Sequence, residues 1–219
     1  TIEQEPKVKE ILSEEARQKK SRIYDISEDN LNFKEKAGKY IDFLNANAYD
    51  KERDVRTNIA GEFQKSNLVA ALQTAELICG RLDEDKIYEA LSQIRISGRM
   101  EEIAPGIIVD VSHNIQGMQG FVQTVEANYH GMKKRILFAA SHQNEEEYMK
   151  NILKTIPEIE AFYTVGIHKR RIDEAEFQDA FRKMIDRNQE TTVCFVVGSF
   201  YLAGMAKEFI NQEEENVRL

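Results

Sequence analysis

Cysteines are scarce in this sequence and long apolar runs are absent, and both features narrow the class of protein. Only Cys79 and Cys194 occur in 219 residues, and both stand in apolar segments. We therefore predict two buried free thiols rather than a disulfide, which suits a reducing, cytoplasmic location. No run approaches the roughly 18 to 20 apolar residues that a membrane-spanning helix needs, and the first residues show no signal-peptide pattern. The sequence therefore predicts a cytoplasmic protein without a membrane partner.

Basic residues are also in deficit. Lysine and arginine number 30 against 38 aspartates and glutamates, which gives a formal net charge of -8. Proteins that bind nucleic acids or anionic membranes usually carry a basic face, so neither partner is predicted. A nucleotide site stays compatible with this charge because it needs only local positive groups and backbone N–H donors.

Motifs for several familiar chemistries are missing as well. No G-x-x-x-x-G-K-[ST] phosphate-binding loop occurs, and no His/Cys/Asp cluster has metal-ligand spacing, so no metal site is predicted within these residues. A serine and a histidine could pair, but without a G-x-S-x-G turn a hydrolase is not favoured. We assign no catalytic residue from the sequence.

Strands and helices alternate regularly in the second half of the sequence. This order predicts βαβ units, and hence an α/β domain whose mostly parallel sheet is covered by helices on both faces. The last strand is apolar on both faces and is expected to be central. The predicted strands are 107–110, 135–140, 161–165 and 192–197, and the predicted helices are about 116–128, 145–155, 173–188 and 201–212.

The first half has a different pattern. Residues 1–21 predict a charged amphipathic helix, 22–26 a strand, and 31–59 antiparallel hairpins with one wet face. Helices are predicted at 68–80 and 83–91. We place a domain boundary near Ser97, which divides the chain into 1–97 and 98–219. Because the sequence starts abruptly with a charged helix, we expect it to be part of a longer chain.

Polar residues follow the buried strand 107–110 at a place where ligands often bind. Asp110 ends the strand, and His113 and Asn114 follow it before a helical pattern. Ligands of open α/β sheets bind just outside the carboxyl ends of the strands. Two interpretations stay open: these side chains cap the helix and satisfy backbone groups, or Asp110 accepts a ribose hydroxyl and His113 lies near a phosphate or a reacting carboxylate.

Two further segments are candidates for the same site. Arg99 follows Gly98, which frees the backbone to bring the guanidinium close to a base or a phosphate; a surface charge is the alternative. Ser199 follows Gly198 after the last strand, where backbone N–H groups form a small anion cradle. His142 is predicted to be an exposed loop side chain.

Five segments occur in one order along the chain, and together they resemble motifs of a known family. The segments and the motifs they resemble are residues 2–6 (Q-x-P-E), 61–67 (G-x-H-Q-x-x-N), 97–101 (P-G-R-M/F-E), 110–114 (D-G/V-A-H-N-P) and 198–202 (G-S-L-Y-L). The motifs are those of the folylpolyglutamate synthase/dihydrofolate synthase family, which are Mur-ligase-like, ATP-dependent amide ligases.

The resemblance implies a fold and a reaction. Residues 1–97 would be the α+β remainder of the central ligase domain, and 98–219 the C-terminal Rossmann-like domain. ATP would phosphorylate the terminal carboxylate of a folate or dihydropteroate, and the amine of L-glutamate would attack the acyl phosphate. Arg99 and Asp110 would contact ATP, and His113 and Ser199 would lie near the glutamate. The P-loop and the Mg²⁺ ligands would lie upstream, and a monomer is expected.

The sequence also departs from the family motifs. Ile115 replaces the proline after H-N, Phe63 replaces a histidine, and residues 141–144 replace an R-D-K-D loop. A diverged relative that joins another amino acid to another acid is therefore one alternative, and a non-catalytic nucleotide-binding module is another. We expect that these 219 residues alone do not turn over ATP.

Overall fold

The computed structural model describes residues 1, 4–26, 32–33, 41–45, 53–57, 59, 61, 63–80, 83–169, 171–186 and 191–217. These residues form two compact units: one holds the described residues up to Ile94 except 59 and 61, and the other holds 59, 61 and the residues from Arg95 onward. The predicted boundary near Ser97 and the assignment to two ligase domains stay predictions. None of the described helices is long and apolar enough to span a bilayer.

The first unit combines helices with a small antiparallel sheet, so the hairpins predicted in 31–59 are confirmed for the described residues. The sheet has the order β1-β2-β3, and both of its strand pairs are antiparallel. Its elements are α1 (Pro6–Gln18), β1 (Asn32–Phe33), β2 (Ile41–Asn45), β3 (Arg53–Thr57), α2 (Phe63–Cys79) and α3 (Glu84–Gln93).

Three details of the first unit differ from the sequence prediction. The prediction of a strand at 22–26 is wrong, because in this segment only Ile26 forms a bridge, and it is isolated. Ile23 and Tyr24 are exposed, so they do not supply the buried face that a strand needs. Helix α2 begins at Phe63 rather than at residue 68. Cys79 is exposed rather than buried, although both cysteines are free thiols as predicted.

The second unit contains a five-stranded sheet of the predicted kind. Its strands have the order β4-β5-β10-β6-β7; β5, β10, β6 and β7 are parallel, and β4 pairs with β5 in the antiparallel direction. The last strand lies at the centre, as predicted. The strands are β4 (Glu101–Ala104), β5 (Ile107–Asp110), β6 (Lys133–Phe138), β7 (Ile159–Thr164) and β10 (Thr192–Val197), and a separate short hairpin joins β8 (Ile167–His168) to β9 (Arg171–Ile172).

Helices cover both faces of this sheet. They are α4 (Ile115–Asn128), α5 (Glu146–Leu153), α6 (Glu174–Ile185) and α7 (Phe200–Val217). Strand β10 divides its side chains between two apolar cores, with Phe195 on the side of α4 and α5 and Val196 on the side of α6 and α7. All six residues of β10 are buried, which is the burial expected for a central parallel strand.

The strand predicted at 135–140 starts two residues earlier, at Lys133. The charges of Lys133 and Lys134 argue against a strand in the sequence. Yet the side chain of Lys134 is completely buried, and its ammonium lies 2.8 Å from a carboxylate oxygen of Glu158. A buried lysine is tolerated where it is paired, so the ion pair explains why the strand begins in this polar segment.

Candidate functional site

The carboxyl ends of β5 and β10 lie side by side and bring two loops of the chain together. In the parallel pairing, Asp110 is the register partner of Val197. The Gly198 N–H points to the Asp110 carbonyl oxygen at 3.4 Å, and the Val111 N–H donates to the Gly98 carbonyl at 2.8 Å. The turns that carry Arg99, Asp110, His113 and Ser199 therefore meet at one edge of the sheet.

Asp110 is completely buried. One carboxylate oxygen accepts hydrogen bonds from the backbone N–H of Ser112 (2.8 Å) and from its hydroxyl (2.5 Å), and the other accepts the backbone N–H of Met100 (3.0 Å). Burial raises the pKa of Asp110, and the hydrogen bonds from Ser112 and Met100 and the charge of Arg99 offset only part of that increase. The carboxylate thus joins the turn that contains Arg99 to the turn that follows β5. Its contact with a nucleotide stays a prediction.

Arg99 stands in a tight turn between two residues with positive φ. Gly98 has φ +71° and Met100 has φ +45°. A Cβ atom on Gly98 would lie 2.7 Å from a methyl carbon of Val111, so the turn needs glycine there. Among the described residues, no hydrogen bond or ion pair engages the Arg99 side chain, although its charge acts on Asp110. Its five N–H donors are therefore available to an anionic ligand.

The His113 ring is held from its own turn. Its Nδ1 lies 3.0 Å from the Val111 carbonyl oxygen. Because a carbonyl only accepts, Nδ1 carries the proton in this hydrogen bond, and Nε2 remains for another partner. The ring centroid lies 6.3 Å from that of His142 and 5.5 Å from that of Phe200. His142 is exposed, as predicted, and Phe200 is 59% exposed.

Gly198 and Ser199 connect the central strand to α7. Gly198 has φ +106°, and a Cβ atom there would lie 2.5 Å from the Ala139 carbonyl oxygen. Ser199 is buried, and its hydroxyl oxygen accepts the Tyr201 N–H at 3.1 Å, so it caps the helix. Asn114 caps α4 in the same way, since its side chain accepts the Gly117 N–H at 2.7 Å.

Two helices therefore begin at this edge, and their positive ends favour an anionic ligand. The capping interpretation of the polar turn is confirmed for Asn114. The ligand-binding roles of Arg99, Asp110, His113 and Ser199 stay predictions. Within the described ranges, no three His, Cys, Asp or Glu residues are grouped as metal ligands.

The sequence predicted no role in the site for four side chains near this edge. His142 and Phe200 flank the His113 ring, and Glu101 and Lys207 are bound to the Arg99 turn. Phe200 could have been identified from the sequence, because it directly follows the Gly198–Ser199 turn, which was predicted to bind an anion. No sequence feature could have identified Lys207, because it lies two helical turns further along α7.

No family model matches the sequence, and no curated protein matches it. Solved structures of folylpolyglutamate synthase do match. The apo form from Lactobacillus casei has a TM-score of 0.75 at 17% identity, over 96% of this chain and 52% of that chain. The Thermotoga maritima structure has a TM-score of 0.70 at 22% identity, over 96% and 53%. A complex with AMPPCP and folate has a TM-score of 0.75 at 18% identity, over 96% and 52%.

At these identities the likeness concerns the fold. This chain spans about half the length of the structures that it matches, and its fold is the one found in the C-terminal part of folylpolyglutamate synthase.

Proposed function

We propose that this chain is the C-terminal part of an ATP-dependent ligase that joins L-glutamate to a folate or dihydropteroate. The observation that carries the proposal is the meeting of Arg99, Asp110, His113 and Ser199 at the carboxyl edge of the parallel sheet. Ligands of open α/β sheets bind at such an edge. The shared fold supports the choice of ligase over other nucleotide-dependent proteins.

In the proposed reaction, a carboxylate oxygen of the folate attacks the terminal phosphorus of ATP, and ADP leaves. The amine of glutamate then attacks the resulting acyl phosphate, loses a proton, and expels inorganic phosphate as the amide forms. Arg99 would bind the nucleotide through its available N–H donors. Asp110 would form the nucleotide side of the pocket, and His113 Nε2 and the Ser199 turn would face the glutamate.

The remaining parts of the catalytic site are proposed to lie outside these 219 residues. The sequence has no P-loop motif, and the described residues group no metal ligands, so Mg²⁺ would be held by upstream residues. A site divided between domains is chemically sensible because an acyl phosphate must be shielded from water until the amine arrives. The folylpolyglutamate synthase complex contains AMPPCP and folate, which supports ATP and a folate as the small-molecule partners. We propose a cytoplasmic monomer.

Nucleotide binding is the first test. AMPPCP at about ten times its Kd should stabilise the folded chain by about 1.4 kcal/mol, which raises the melting temperature by roughly 4 °C for a chain of this size. Arg99→Ala should abolish most of this shift, because it removes the available guanidinium. Differential scanning fluorimetry over a millimolar range of nucleotide measures both.

Arg182→Ala is the matched control, since Arg182 lies on α6 and pairs with Glu213 at 3.4 Å rather than with the candidate site. It should keep the full ligand-induced shift. A shift that survives Arg99→Ala unchanged would contradict the assignment of this arginine to the nucleotide.

Turnover is a separate prediction. Because the P-loop motif is absent from this sequence, the chain alone should release no phosphate from ATP and should attach no radiolabelled glutamate to a folate. Addition of glutamate to folate by this chain, dependent on ATP, would show that the catalytic site is complete within it. Nucleotide binding without turnover by any longer form of the protein would instead favour a non-catalytic nucleotide-binding module.

A further inference from the structure

We propose that Lys207, on α7, is a positioning residue that holds Arg99 in place for its ligand by acting through Glu101. This inference rests on the proposed function, because the ligand of Arg99 is the nucleotide. It adds a residue that lies outside all five motifs to the machinery of the site.

The contacts form a short chain from α7 to the Arg99 turn. The Lys207 ammonium lies 2.6 Å from a carboxylate oxygen of Glu101, and it donates to the Ser97 hydroxyl at 2.5 Å. The same Glu101 oxygen accepts the backbone N–H of Gly98 at 2.6 Å. Lys207 is thus bound to the residues that begin and end the turn, and Arg99 lies between them.

Charge strengthens this arrangement. Partial burial by itself would raise the pKa of Glu101, but the hydrogen bonds from Lys207 and from the Gly98 N–H, together with the charge of Lys207, lower it. Glu101 is therefore an ionised acceptor at neutral pH. Hydrogen bonds to an ionised acceptor are shorter and stronger than those between neutral groups, which agrees with the two 2.6 Å distances at one oxygen.

The turn needs such support because its backbone conformation is unfavourable without it. Met100 has φ +45°, which residues with a side chain adopt only rarely. Such a conformation persists where surrounding contacts over-determine it. Asp110 supplies one such contact through the Met100 N–H, Val111 supplies another through the Gly98 carbonyl, and Glu101 adds a third through the Gly98 N–H. Lys207 supplies the positive charge that is paired with Glu101.

The position of Lys207 also connects two parts of the proposed site. Helix α7 begins at Phe200, directly after the Ser199 cap at the carboxyl edge of the sheet. The N-terminus of this helix is therefore capped by Ser199, and two turns later its Lys207 side chain binds the Arg99 turn. A displacement of α7 would move both.

The experiment compares Lys207→Met with a matched ion-pair control, Lys183→Met. Lys183 pairs with Asp179 at the same 2.6 Å, but the pair is on the exposed face of α6. Two quantities are measured in each variant: amide hydrogen exchange at Gly98 and Met100 by NMR, without nucleotide, and AMPPCP affinity from the ligand-dependent melting temperature. Lys207→Arg serves as the conservative rescue, and the Lys207→Met change is repeated in an Arg99→Ala background.

We expect Lys207→Met to increase exchange at Gly98 and to weaken AMPPCP binding by about tenfold, the change that follows when one charge-assisted contact is weakened by about 1.4 kcal/mol. Lys207→Arg should restore both, and Lys183→Met should change neither. In the Arg99→Ala background, Lys207→Met should have no further effect on affinity, because coupled residues are not additive.

Three results would overturn the inference: unchanged exchange at Gly98, an effect equal to that of Lys183→Met, or a further tenfold loss of the remaining affinity when Lys207→Met is added to Arg99→Ala. If the unmodified chain shows no AMPPCP-dependent shift, the proposed function fails in this chain, and exchange at Gly98 alone decides whether Lys207 positions the turn. The two failures are therefore distinguishable.

Discussion

Gly198→Ala is expected to lower the free energy of unfolding by about 3 kcal/mol. Gly198 has φ +106°, a region that L-residues with a side chain rarely occupy. The new Cβ would lie 2.5 Å from the Ala139 carbonyl oxygen and 2.6 Å from a ring carbon of Phe138. The first of these atoms belongs to the backbone of the residue that directly follows β6, so relief requires the ends of two central strands to separate. Urea denaturation measures the loss.

Gly204→Ala is the matched control, in the helix that follows the Gly198 turn. Gly204 lies inside α7, and a Cβ atom there meets nothing within 4 Å among the described residues. Alanine should therefore stabilise the chain by about 0.5 to 1 kcal/mol, since glycine is the poorer helix former. Gly198→Ala should also reduce the AMPPCP-dependent melting shift, because the Ser199 turn follows directly. A loss below about 1 kcal/mol would mean that the strand ends move apart easily.

The parallel sheet could be predicted because burial and periodicity agree along it. Strands 107–110 and 192–197 are predicted with the bounds that the structure has, and the doubly apolar pattern of β10 correctly predicts its central place. In one strand of the sheet, a polar contact overrides the pattern. Strand β6 begins in the polar segment Lys133–Lys134, where Glu158 pairs with Lys134, and that pairing is not visible in the sequence before the strands are aligned. The antiparallel edge strand β4 is short and half charged, so nothing in its pattern distinguished it from a loop.

The candidate site could also be predicted only in part. Its location follows from the chain order, because Asp110 ends one predicted strand of a parallel sheet, and His113 and Ser199 each follow such a strand. The contacts of each side chain, in contrast, could not be predicted from the chain order. The prediction for Asp110 considered a ribose hydroxyl as its partner, whereas both carboxylate oxygens accept donors from the protein in the structure. The hold of Lys207 on the Arg99 turn depends on how α7 packs against β4, which no local pattern specifies.

Asp110→Ala should lower the free energy of unfolding by about 2 kcal/mol. The change removes the acceptor of two buried backbone N–H groups, those of Met100 and Ser112, and of the Ser112 hydroxyl. Relief from burying a charge offsets part of this loss. Asp110→Asn should have a smaller effect at neutral pH, since the amide keeps one acceptor and carries no charge. The Arg99 turn should loosen in both variants, so the AMPPCP-dependent melting shift should fall in both.

A comparison of the unmodified chain with Asp110→Asn tests the pKa of Asp110 through the pH dependence of stability. Burial raises the pKa of Asp110 in the folded state above its ordinary value of 3.8. Between these two values the folded chain binds more protons than the unfolded chain, so the contribution of Asp110 to stability falls as pH rises through the window. Asp110→Asn lacks this titration. The stability of the unmodified chain minus that of the variant should therefore shrink as pH rises from about 4, and then level off above the raised value.

Ser112→Ala sharpens this experiment. The hydrogen bonds from Ser112 lower the pKa of Asp110 against the effect of burial, and the hydroxyl provides the shorter of them, at 2.5 Å. Removing the hydroxyl should raise the pKa of Asp110 further and extend the window to higher pH. Urea denaturation at a series of pH values gives the comparison for all three proteins. A stability difference that grows with pH would mean that the folded state favours the ionised carboxylate, and Asp110 would then be held by charge rather than by burial.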